Sequence, residues 1–126
     1  MLDIAFYSQD REEAEAIEVS NDFYEWLARS EFARIGKSEL KEMKVDGETV
    51  KVPAIELAGI NRRQLSDFFR NAIVEESDAM LEQLSSSISK EEYQEVTHRL
   101  FLLQQLRKQI ENEQYKYLQR FCSPLL

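Results

Sequence analysis

An α+β fold follows from three observations. The second half of the chain carries two long stretches of helical apolar spacing, the middle holds a tight-turn signal between β-type runs, and the start alternates with period two. Together they predict a small antiparallel sheet, with a β-hairpin near 43–52, and a short helix packed on a long antiparallel two-helix hairpin whose second helix is central. One domain is expected, with residues 1–60 supplying the sheet and short helix and 61–126 the helical hairpin.

Leu2, Ile4 and Phe6 alternate with Asp3, Ala5 and Tyr7, which predicts a short half-buried strand. Ala14 to Ser20 alternates again, so a second strand is expected there, with a helical turn as its rival. Ser20, Asn21 and Asp22 are good helix caps, and Phe23, Trp26 and Leu27 then fall at helical spacing, predicting a short helix to about Ser30. Gly36 is a natural stop for the apolar face that Phe32 and Ile35 continue, and Lys37 to Glu42 reads as one more helical turn.

Asp46-Gly47 suits a two-residue hairpin turn, because both positions adopt positive φ cheaply. Pairing across it sets Val45 opposite Glu48, Lys44 opposite Thr49, Met43 opposite Val50 and Glu42 opposite Lys51, which places Met43, Val45, Val50 and Val52 on one face. Pro53, without an amide donor, is expected to end the pairing, and Ala54 to Ile60 reads equally as strand or helical turn.

From Asn61, as a cap, the residues Leu65, Phe68, Phe69, Ala72, Ile73, Met80 and Leu84 trace the first long helix, which ends at Ser85-Ser86-Ser87. Ser89 followed by Glu92 is a capping box that starts the second. Tyr93, Val96, Leu100, Leu103, Ile110, Tyr117 and Phe121 extend its stripe to a length of roughly thirty residues, about 45 Å. Because Leu100 to Leu106 is apolar all round, neighbours are expected on more than one side of this helix.

The net charge of −8 opposes binding to nucleic acid or to an anionic membrane surface, both of which depend on clustered Lys and Arg. Cys122 is the sole cysteine, which rules out an internal disulfide and suits a reducing, cytoplasmic setting. No apolar run approaches the length of a membrane span, and the start of the chain lacks signal-peptide character. The three glycines form no phosphate-binding motif, so no cofactor is expected.

If the long helices reverse near Ser87, residues whose numbers sum to about 174 lie side by side, which sets Glu76 against His98. Glu95 precedes His98 by one turn, a Glu-x-x-His spacing that carboxylate-bridged metal bundles take from each of two helices. A single histidine cannot supply both, so no metal site is assigned. His98, Glu76 and Glu95 remain the acid/base candidates, against the blander reading of a hydrogen-bonded or solvated pair, and the chain is not read as an enzyme.

Charge distribution is more informative. Residues 10–31 hold eight acidic side chains against two basic, and residues 75–95 hold seven against one. Residues 96–126 hold five basic against two acidic, and Arg62, Arg63 and Arg70 add to the same end of the hairpin, giving it an acidic tip and a basic base. Arg62 and Arg63 stand against the macrodipole of their helix, which hints at a second purpose such as holding an anion. Asp10, Glu12, Glu13, Glu15 and Glu25 are docking candidates by charge. Tyr24 and Tyr115 are candidates by chemistry, since tyrosine joins a large contact area to a polar edge. The expectation is a small acidic protein that binds another, basic protein, in the manner of an inhibitor or immunity-type neutraliser. The alternative is a structural or adaptor protein that forms a homodimer through its long helices.

Overall fold

The computed structural model describes residues 2–8, 14–45, 47–85 and 88–120. Strand β1 (Leu2–Ser8) pairs antiparallel with β2 (Ala14–Val19), and α1 (Asn21–Arg29) follows. Ser20 caps α1, its hydroxyl accepting from the Phe23 amide at 3.3 Å, and a single 3-10 turn spans Glu31–Ala33. Strands β3 (Glu39–Val45) and β4 (Glu48–Glu56) form a hairpin at one edge of the sheet. Helices α2 (Gly59–Leu84) and α3 (Lys90–Glu111) form the long antiparallel pair, and β5 (Tyr115–Gln119) returns to the sheet. The five antiparallel strands run in the order β2-β1-β5-β4-β3.

The register of the β3–β4 hairpin is the one the turn demands: Val45 faces Glu48, Met43 faces Val50 and Glu42 faces Lys51. Gly47 supplies the turn with φ +81°. Lys37 to Glu42 is not a helical turn, because its residues from Glu39 onward are claimed by pairing with β4. Pro53 does not end that pairing; it lies opposite Leu40, and Ala54 opposite Glu39. Since β5 pairs with β4 only at Ile55 and Glu56, the β5 side of the ladder requires no amide at position 53.

Strand β5 corrects the expected thirty-residue helix. α3 has 22 residues and stops at Asn112, whose carboxamide oxygen accepts the Gln114 amide at 2.9 Å, a local Asx turn that competes with helix. Tyr115 to Gln119 then fills the middle of the sheet between β1 and β4. The second half of the chain is therefore a helical hairpin plus the strand that closes the sheet. At the start of α2, Ala58 occupies the cap position and makes no side-chain bond; Asn61 instead donates to the Glu56 carbonyl at 3.2 Å.

The main core lies between one sheet face and the helices. Ile4, Phe6, Ile55 and Leu118 from the sheet meet Phe23, Leu27, Leu65, Phe69, Leu102, Leu103, Leu106 and Ile110. Phe32, Phe68 and Phe69 stack edge to face or tilted at 5.0–6.2 Å between ring centres, and Trp26 continues the array to Phe68 at 5.7 Å. The opposite sheet face gathers Tyr7, Met43 and Ala54 with Val50, Val52 and Tyr117, as the hairpin register requires. The apolar girdle of α3 divides: Leu102, Leu103 and Leu106 turn inward, whereas Phe101 stays 57% exposed. No helix among the described residues is long and apolar enough to cross a membrane.

Gly47 carries a testable consequence. A Cβ there meets nothing within 4 Å, so the cost of a side chain is purely conformational. Gly47→Val is expected to destabilise the protein by about 1 kcal/mol or more in urea unfolding, through the positive φ alone.

Candidate functional site

The buried residues of the helical hairpin are Leu65, Phe69 and Ala72 on α2 and Leu102, Leu103, Leu106 and Ile110 on α3. All lie in the half nearest the sheet. Between Ala72 and Leu102 no described residue is buried, so twelve residues of each helix, about 18 Å, form an arm without a core of its own.

On the inner side of this arm a cleft of about 500 Å³ opens between the start of α1 and the two long helices. Ser20, Asp22 and Phe23 form one wall; Glu76 and Gln83 from α2 and Glu92, Glu95, Val96, His98, Arg99 and Leu102 from α3 form the rest. Four carboxylates thus line the cleft against one guanidinium. Glu76 does not take His98 as its ionic partner; it meets Arg99 Nε at 3.3 Å, because the hairpin aligns residues that sum to 175. The Arg99 guanidinium also lies over the rings of Trp26 and Phe23, at 4.9 and 5.4 Å from their centres, which fastens α3 to α1. The three acid/base candidates Glu76, Glu95 and His98 do come together in one cleft, with His98 exposed. Among the described residues, no group of three or more His, Cys, Asp or Glu is placed to hold a metal ion.

The opposite end of the hairpin reverses the expectation for Arg62. Its guanidinium donates to the carbonyls of Ile110 (2.6 Å), Asn112 (3.1 Å), Tyr115 (2.8 Å) and Leu57. With both terminal nitrogens committed to backbone oxygens, Arg62 is a structural clamp and not an anion site. Burial pulls its pKa below the ordinary value, with the Glu113 charge opposing that shift. Arg63 is exposed beside it. Glu111 completes this end. It accepts from Ser66 Oγ at 2.5 Å, from Arg70 Nε at 2.9 Å and from Arg107 Nη1 at 2.9 Å. Partial burial works to raise the Glu111 carboxyl, but these hydrogen bonds and the charges of Arg107 and Arg70 outweigh it and hold it below the usual range.

Of the remaining candidates, Glu15 and Glu25 are exposed. Tyr24 is half-buried against the core, so only part of its ring faces outward. Tyr115 is not a surface residue: it is 9% exposed, and its ring centre lies 6.0 Å from that of Phe6. Its place in β5 explains the difference, since the strand turns that side chain into the core. Asp10, Glu12 and Glu13 lie outside the described residues, as do Asp46, Ser86, Ser87, Phe121 and Cys122. Reasoning from sequence missed Arg99, although its position on the stripe of Glu92, Glu95 and Leu102 marks it as inward-facing.

Compared with protein-family models, with curated proteins and with solved structures, the chain matches none. The functional reading therefore rests on the chemistry of the cleft and the arm.

The clamp yields a direct test. Arg62→Lys keeps the charge but loses the planar fork that reaches four carbonyls, and is expected to destabilise by about 2 kcal/mol or more in chemical unfolding. Arg63→Lys, on the exposed neighbour, is expected to change stability by less than about 0.5 kcal/mol.

Proposed function

We propose that this chain is a small acidic protein-binding protein, cytoplasmic in setting, whose docking element is the arm of α2 and α3 and whose specificity lies in the acidic cleft. The observation that carries this reading is the arm itself. Two helices with no fully buried residue over twelve positions each gain less from packing than their base does, since helical stability in proteins comes mostly from tertiary packing. A partner that packs there supplies what the core does not.

The acidic lining of the cleft favours a basic partner. A lysine or arginine side chain entering the cleft meets Asp22, Glu92 and Glu95, while its methylene stem lies along Phe23, Val96 and Leu102. Arg99, held by Glu76 and two aromatic rings, stands as a fixed wall that rejects a misaligned cation. Attraction between an acidic arm and a basic protein speeds encounter, and an inhibitor or immunity-type neutraliser of a basic target is the form of this function that the charge suits best. The acid/base alternative through Glu76 and His98 is weaker, because the Glu76 carboxylate is engaged by Arg99.

The test is an NMR titration of the labelled protein with a short arginine- and lysine-rich peptide, and with a glutamate-rich peptide as control. Shifts for the basic peptide alone, centred on residues 92–99 and weakened roughly tenfold between low salt and about 0.5 M salt, are expected. Glu92→Gln, which keeps the capping-box oxygen, combined with Glu95→Lys at an exposed position should abolish them while leaving the melting temperature nearly unchanged. Binding that survives both substitutions, or that maps away from the cleft, would overturn the reading.

A further inference from the structure

His98 lines the acidic cleft, and it is the single histidine of the chain. Histidine is the side chain whose ordinary charge change falls between pH 5 and pH 8, where aspartate and glutamate stay largely ionised and lysine and arginine stay cationic. Among the groups that line the cleft, His98 is therefore the one whose charge responds near neutral pH. Glu95 lies three residues before it and Leu102 four after, so the helical period puts all three on one side of α3.

The charges that share the cleft with His98 come from three elements: Asp22 from α1, Glu76 from α2, and Glu92, Glu95 and Arg99 from α3 itself. Glu91, seven residues before His98, is exposed on the same side of α3, one turn beyond Glu95. β2 also packs on α3, but it places Ile17 and Val19 in the shared core. Its Glu15 lies about 16 Å along the strand from Ser20, further than a screened charge acts at physiological salt. Two of the cleft carboxylates have internal partners: Glu76 meets Arg99 at 3.3 Å, and Glu92 accepts the Ser89 hydroxyl at 3.2 Å. A protonated His98, one turn from Glu95, offers that carboxylate an internal cation as well.

We propose that His98 is a proton switch on the cleft, which holds its basic partner while the imidazole is neutral and releases it as the imidazole is protonated; this rests on the cleft being the docking site for a basic partner. Protonation acts twice in the same direction. It adds a positive charge where a cation enters, and it engages Glu95. Affinity for a cation therefore falls as pH falls through the titration of His98. Linkage requires the converse, that a bound cation shifts the His98 titration to lower pH by the logarithm of the same factor. For unit charges roughly 6 Å apart in a hydrated cleft, with an effective dielectric constant of about 40 to 80, Coulomb's law gives a factor of about three to ten. Because His98 is exposed, the proton reaches it without any opening of the arm.

The experiment measures the affinity of an acetylated, amidated arginine- and lysine-rich peptide, free of histidine and carboxylates, at about pH 8 and about pH 5.5 and at one ionic strength. The unmodified chain is expected to bind about threefold to tenfold more weakly at the lower pH. In the NMR titration of the His98 ring protons, saturating peptide is expected to move the midpoint to lower pH by the matching amount. His98→Gln should keep the high-pH affinity at both values, and His98→Lys should bind weakly at both; position 98 is exposed, so both variants should melt as the unmodified chain does. Equal affinity of the unmodified chain at the two pH values, a slope of the same size in His98→Gln, or a His98 titration that the peptide leaves in place would overturn the switch. Absence of binding even at the higher pH would instead sink the cleft reading, and the switch with it.

Discussion

One guanidinium ties the two layers of this protein together. Arg62, in the first turn of α2, reaches backbone carbonyls from the end of β4, the end of α3 and the start of β5. These are the three chain segments that must meet for the helical hairpin to sit on the sheet. The arrangement also resolves an electrostatic oddity. A cation at the start of α2 opposes the dipole of that helix, but the same cation lies at the carbonyl end of α3, where the dipole favours it. Arg120 plays a matching part for the loop after α1, donating to the carbonyls of Phe32, Ile35 and Gly36 and to Ser38 Oγ. In both cases an arginine withdrawn from solvent, half-buried at Arg62 and buried at Arg120, has its pKa lowered by desolvation and donates to backbone carbonyls where elements meet.

With the base tied down, the other end of the hairpin is left to surface chemistry. Every buried residue of α2 and α3 lies at or before Ala72 or at or after Leu102, and Glu111 gathers Ser66, Arg70 and Arg107 at the same end. The arm beyond them holds no buried residue among those described: its inner side is acidic and is fastened to α1 by Arg99, and Val74, Leu81, Tyr93 and Phe101 are exposed along the arm.

Local chemistry made much of the fold legible in the sequence. Asp46-Gly47 determined the register of its hairpin to the residue, and Ser20 and Ser89 marked two helix starts through hydroxyls that do accept from the Phe23 and Glu92 amides. What stayed hidden depends on contacts distant in sequence. β5 was concealed because Ile110, Tyr117 and Phe121 keep the seven- and four-residue spacings of a helix, so the stripe ran through the Asx turn at Asn112. The alternation of aromatic residues at Tyr115 and Tyr117 was the available sign of a strand. The role of Arg62 was not readable at all, since three of its four acceptors lie 48 to 53 residues away. The cleft was half legible: pairing by residue sum brought Glu76 to the correct turn of α3, but one residue short of Arg99.

The central claim is that the hairpin is anchored at its base and only weakly held at its tip in the protein alone. Native-state hydrogen exchange along α2 and α3, read amide by amide in the protein alone and at low concentration, tests this most directly. The account predicts the strongest protection at residues 62–72 and 102–110, falling towards both ends of the arm at 78–84 and 90–97. Uniform protection along both helices, or protection greatest at the tip, would contradict it.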